Sequence, residues 1–174
     1  MAEWDLNTAE LHLLRELRAG DRVKLSGTVY TARDAAHKRI AQLLDKGEEP
    51  PFTFSGAAIY YAGPTPTPNG MVIGSCGPTT SGRMDVYTPR FLDLGVKIMI
   101  GKGKRSPQVI KAIRRNRAVY LCAIGGAGAL AAKCIEKAEV IAFEDLGCES
   151  VKRLTLQDFP LICAIDSTGR NIVK

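Results

Sequence analysis

The chain has 174 residues, 45% of them apolar, with 24 basic and 18 acidic side chains. That is enough apolar material for a buried core, which excludes an intrinsically disordered chain, and a compact chain of this length buries roughly 70% of its unfolded surface, as one ordinary domain does. Aromatic residues make up only 6%, with the single Trp at position 4, so a stacking platform for single-stranded nucleic acid is poorly supplied.

In chain order, Thr8 is positioned to cap a short amphipathic helix with Leu11, Leu14 and Leu17 on one stripe and Gly20 past its end, a helical lead-in over residues 1–20. After the Gly20-Asp21 turn, Val23, Leu25, Gly27 and Val29 alternate with polar residues, the period of a strand with one buried face. Residues 32–46 place Ala36, Ile40, Leu43 and Leu44 at helical spacing, with Arg33 and His37 together on the other face. Two apolar runs, 57–62 and 71–75, read as buried strands joined by a loop rich in Pro and Gly.

The runs 96–100 and 118–124 flank a helix that Ser106 caps and Pro107 opens, a βαβ unit. Residues 127–137 read as a helix, 140–143 as a strand and 161–165 as a last strand. Strands alternating with helices after a β-rich first half predict an α/β fold, and residues 1–174 read as a single domain.

The net charge of +6 favours anionic partners without choosing among them. Eight basic residues and no acidic one lie between Lys97 and Arg117. Lys111, Arg114 and Arg115 on one side of a helix suit a nucleic-acid-binding module, a solvated face, or a face meeting an acidic partner.

Five cysteines without a CxxC pair, and an amino end without the basic and apolar regions of a signal peptide, point to a reducing cytoplasm. The longest uncharged stretch, 50–82, holds six prolines and six glycines and could not cross a bilayer as a helix, so no membrane partner is expected. Buried packing is the default expectation for all five cysteines, Cys76 included.

The most unusual segment is Gly77-Pro78-Thr79-Thr80-Ser81-Gly82-Arg83-Met84-Asp85, a glycine-rich turn read as entering a helix. Its backbone N–H groups, hydroxyls and Arg83 would suit a carboxylate or phosphate. Arg33 and Lys102, the latter in Gly101-Lys102-Gly103, also fall at strand ends. Ligands of open α/β sheets collect there, so Arg33, Arg83 and Lys102 could converge on one multiply charged anion. Gly126-Ala127-Gly128-Ala129-Leu130-Ala131, with Glu144 and Asp145 beyond the next strand, matches a dinucleotide fingerprint and keeps an oxidoreductase reading open.

Together with Thr31-Ala32-Arg33-Asp34-Ala35-Ala36-His37, the threonine and lysine motifs give the chain a resemblance to the β-subunit family of class I fumarate hydratases and L(+)-tartrate dehydratases, over nearly all of residues 20–170. The resemblance implies a swivelling β/β/α domain, a mixed central sheet flanked by helices. It would close over a larger α subunit whose cysteines hold a 4Fe-4S cluster, with no metal ligand on this chain. It implies reversible hydration of fumarate to L-malate, with L(+)-tartrate or mesaconate as alternative substrates, in a heterotetramer or higher dimeric assembly.

Carried over residue by residue, the resemblance makes Thr79 the base at the carbon beside a carboxylate and gives Arg33, Arg83 and Lys102 the substrate oxygens. His37, Thr80 and Asp85 would stand behind them. An unassisted hydroxyl is too weakly basic at neutral pH, so Thr79 would need an activating carboxylate on the α subunit.

Overall fold

A computed structural model of the chain describes residues 1–124 and 127–174. Its strands are β1 (Glu3–Asn7), β2 (Arg22–Thr31), β3 (Ala58–Tyr60), β4 (Ile98–Gly101), β5 (Val119–Ala123), β6 (Ile135–Ala142) and β7 (Val151–Ile165), and its helices α1 (Asp34–Asp45), α2 (Thr88–Asp93), α3 (Pro107–Asn116) and α4 (Ala127–Cys134). They form an α/β fold on one mixed sheet. β2, β3, β4 and β5 are parallel neighbours, and β7 runs antiparallel to both β5 and β2. These pairings close into a circuit, with β1 added to β2 and β6 to β7.

The alternation of side chains explains why β3, β4 and β5 read as continuous apolar runs. Ala58, Tyr60, Ile98, Ile100, Val119 and Leu121 join one core cluster with Val23, Leu25, Leu154 and Phe159. The intervening Ile59, Met99 and Tyr120 join a second cluster with Ala36 and Ile40 of α1, Phe91 of α2, and Val109 and Ile113 of α3. Both faces of these strands are covered, as parallel strands require. The βαβ expectation holds: α3 follows Ser106, whose side chain accepts the Val109 N–H at 3.3 Å, and Arg117 ends it in the left-handed region.

Several expectations are corrected. Residues 1–20 supply β1 and a single 3-10 turn, Leu11–Leu13, in place of the helix predicted after Thr8. Asn7 Oδ1 accepts the Ala9 N–H, and Leu14 and Leu17 are buried from irregular backbone. Of the run 71–75, Met71 and Val72 are exposed and only Ile73 and Gly74 are buried, outside any strand. The threonine motif enters a 3-10 turn, Ser81–Met84, before the six-residue α2, so it offers no long helix terminus to an anion. β6 begins at Ile135, where the helix was expected to continue, and Phe143 leaves it in the left-handed region. β7 begins ten residues before Leu161, its alternation interrupted where Asp158 takes a positive φ of 52°.

Candidate active site

Because β2, β3 and β4 are parallel neighbours, their carboxyl ends share one edge, with adjacent strands about 5 Å apart. Arg33 follows the end of β2, and Lys102 follows Gly101 at the end of β4. The threonine loop crosses the end of β3 between them. Ala62 bridges Pro78, the Thr79 N–H donates to the Tyr61 carbonyl at 2.7 Å, and Thr80 bridges Lys102. Three segments distant in sequence thus meet at one edge.

Ser81 locks the loop to β4. Its N–H donates to the Lys102 carbonyl at 2.9 Å, and its Oγ accepts the Lys102 N–H at 3.0 Å. The Ser81 and Tyr120 hydroxyls lie 2.8 Å apart, and the Tyr120 hydroxyl donates to the Gly103 carbonyl at 2.9 Å. With one proton on each hydroxyl, a single directed chain satisfies all three bonds: Lys102 N–H to Ser81, Ser81 to Tyr120, Tyr120 to Gly103. A Cβ at Gly101 would stand 1.9 Å from Ser81 Oγ, so this close approach requires glycine.

Arg83 Nη1 donates to Thr79 Oγ1 at 3.5 Å and faces Asp34 Oδ2 at 4.0 Å. Its side chain is 55% exposed. Arg33 lies against Gly63, and its Nε faces Glu149 Oε1 at 3.8 Å. Each arginine is therefore backed by a carboxylate of this chain while its outer part stays accessible. Glu149 belongs to the turn before β7, and no spacing in the sequence links it to Arg33.

The other candidates hold the edge from behind. His37 is buried, donating Nδ1–H to the Arg33 carbonyl at 2.9 Å and stacking on Phe91. Burial pushes its pKa down to about 4, so the ring is neutral at neutral pH. Asp85 accepts the Arg105 Nε–H at 2.7 Å and the Ser106 N–H at 2.6 Å, which ties the threonine motif to the loop carrying Lys102. Arg105 itself is buried, bonded also to Tyr61 and Thr88 and flanked by the Tyr61 and Tyr120 rings. A residue that counted toward the surface charge is thus part of the frame.

The rest of the basic stretch is partly engaged. Lys97 bonds the Asn116 carbonyl, and Arg115 forks Asp93 at 2.8 Å on both oxygens. Of the dinucleotide motif, Gly126 lies outside the described residues. Gly128 abuts the threonine loop: its carbonyl accepts the Cys76 N–H at 3.1 Å, and a Cβ on it would meet Ser75 Oγ at 2.5 Å. Asp145, the acidic partner of that motif, forks Arg39.

All five cysteines are free thiols, and Cys76 and Cys163 are buried, which pushes each thiol up to about 12. Among the described residues no three His, Cys, Asp or Glu side chains come together to hold a metal ion, so they do not fit a cluster that needs several thiolates. No helix among them is long and apolar enough to cross a membrane.

Comparison with known proteins places these features in a family. Residues 1–174 match the family described as Fumarase C-terminus. The chain is 42% identical over 161 residues to Fumarate hydratase 2 of Leishmania major, covering 91% of this chain and 28% of that protein. It is 39% identical over 175 residues to the anaerobic class I fumarate hydratase of Escherichia coli, covering 98% and 32% respectively. The L(+)-tartrate dehydratase subunit beta of the same organism is 35% identical over 166 residues, covering 92% of this chain and 81% of that subunit. The chain therefore spans less than a third of the fumarate hydratases it matches and most of the tartrate dehydratase subunit.

Proposed function

The chain belongs to the family of fumarase C-terminal domains, and from that premise we propose that it is the β component of a hydro-lyase acting on a small dicarboxylate. Reversible hydration of fumarate to L-malate is the preferred reaction. What supports this reading is the strand-end edge, to which three segments distant in sequence, carrying Arg33, Thr79 with Arg83, and Lys102, are brought by parallel β2, β3 and β4.

In this reading Arg33 and Arg83 hold carboxylates of the substrate, since a guanidinium matches a carboxylate with two parallel hydrogen bonds. Lys102 adds a point charge to the same anion. Removing a proton from the carbon beside a carboxylate moves negative charge into that carboxylate, and cations already aimed at it stabilise the charge as it forms. Thr79 Oγ1 takes the proton.

Arg83, 3.5 Å from that oxygen, favours its anionic form. A carboxylate from the second chain completes the activation, because a hydroxyl beside a cation is still weakly basic. Thr80 serves through its backbone, and His37 and Asp85 by positioning. The 4Fe-4S cluster, whose open iron would act as a Lewis acid on the substrate, is assigned to the α subunit, since among the described residues no thiols gather to hold it.

The domain swivels onto that α subunit to close the site, in a heterotetramer or higher dimeric assembly and in a cytoplasmic setting. A tartrate dehydratase is the second reading, favoured by the match to most of a separate β subunit. The test is anaerobic loss of fumarate ultraviolet absorbance, with the chain alone, the α subunit alone and the two reconstituted. Activity only in the mixture is expected. Turnover of tartrate or mesaconate with fumarate untouched would change the substrate, and no dicarboxylate turnover would overturn the proposal.

A further inference from the structure

The Arg33 side chain is 27% exposed, yet its Nε is enclosed by protein and has no hydrogen-bond acceptor among the described residues. A ligand arriving from solvent can meet the outer part of this guanidinium but not its Nε. A buried N–H left without an acceptor is costly, so a protein acceptor within reach gains by closing on it. Among the described residues one carboxylate lies within 4.0 Å of an Arg33 nitrogen, that of Glu149, whose Oε1 is 3.8 Å from Nε. That separation is too long for a hydrogen bond and short enough to close by about 1 Å.

Glu149 stands on a held support. Its turn is tied to α1 by Asp145, which Arg39 forks at 2.7 and 2.8 Å. Lys152 Nζ donates to the Cys148 and Ser150 carbonyls on either side, each at 3.2 Å. The same Oε1 faces the Ala35 N–H at 3.4 Å, in the first turn of the helix that Arg33 precedes. Across the side chain Gly63 forms a close wall: a Cβ there would be 3.0 Å from Arg33 Cδ and 3.4 Å from Nη1. Arg33 is thus confined on one side by backbone and on the other by a single anchored carboxylate.

We infer that Glu149 is the positioning residue of Arg33. By accepting the enclosed Nε–H it fixes the guanidinium plane, and the terminal nitrogens are left to fork a substrate carboxylate. Glu149 does not touch the substrate. This deepens the hydro-lyase reading and rests on it.

The test is steady-state kinetics of the reconstituted enzyme with Glu149→Ala and Glu149→Gln, each in the wild-type and Arg33→Lys backgrounds. Glu149→Ala is expected to raise KM on the order of tenfold with a smaller change in kcat, because the anion site is loosened and the proton-moving group is not touched. Glu149→Gln, which keeps an acceptor oxygen, is expected to recover most of that loss. In the Arg33→Lys background, which has no guanidinium Nε–H, Glu149→Ala is expected to add little.

Equal losses from Gln and Ala, or losses that add independently of Arg33, would assign Glu149 a structural role and overturn the inference. A normal KM in Glu149→Ala would do the same. These results differ from failure of the underlying reading, in which the wild-type mixture itself turns over no dicarboxylate and both fall together.

Discussion

His37 holds the backbone beside the candidate site from a buried position. Its ring stacks on Phe91 with centroids 5.2 Å apart, meets the edge of Tyr61, and holds the carbonyl of Arg33, so it fixes the backbone from which that side chain projects. Burial lowers its pKa from 6.5 to about 4. The unfolded chain therefore binds a proton at this ring below about pH 6.5 that the folded chain refuses until about pH 4. The contribution is fully present above the upper value and is lost as pH falls between the two. Between pH 7 and pH 5 it should lower stability by about 2 kcal/mol. Urea titrations at the two pH values check this: His37→Phe, which keeps a ring against Phe91, should show a clearly smaller difference between them than the parent, and an equal difference would place the pH sensitivity elsewhere.

At the scale of elements, the joint between the threonine loop and β4 holds the candidate site together. Gly101 ends β4 where Ser81 crosses it, and a methyl group there would collide with Ser81 Oγ and with the Tyr61 ring, 2.8 Å away. Gly101→Ala should cost about 1–3 kcal/mol through forced displacement, read as a lower melting temperature, and should reduce turnover of the reconstituted enzyme by loosening the threonine loop from the segment carrying Lys102. An unchanged melting curve would show that the joint is slack. Much of this frame was legible in the sequence: the apolar runs of β3, β4 and β5, the Ser106 cap, and the placing of Arg33 and Lys102 at strand ends. β1 was hidden because only Trp4 and Leu6 of its five residues carry a hydrophobic signal. β7 was half hidden because Lys152, Arg153, Gln157, Asp158 and Pro160 interrupt its pattern where it passes from β6 to β5 along β2. The links from Arg33 to Glu149 and from Asp85 to Arg105 depend on tertiary closeness between segments that no sequence period relates.

For the molecule as a whole, the decisive property is that the edge carrying these side chains is open. Thr80, Gly82 and Arg83 are exposed, and nothing among the described residues covers them. Water would screen the arginines there and weaken their grip on a dianion, whereas a covered, low-dielectric site strengthens each of those contacts. On the proposed function, closure against a second chain is what would turn this cationic edge into a catalytic site. Two arginines of similar accessibility report on it: Arg83, 55% exposed at the carboxyl edge, and Arg22, 61% exposed where β2 begins at the opposite end of the strands. Brief modification with an arginine-selective dicarbonyl, followed by peptide mass spectrometry, should label both in the chain alone. With the α subunit and a dicarboxylate present, labelling of Arg83 should fall by about tenfold or more while Arg22 stays reactive, since burial of the guanidinium removes the reagent's access. Protection of Arg22 with Arg83 still reactive would mean that the opposite edge meets the partner, and the carboxyl edge would then have to bind its anion in the open.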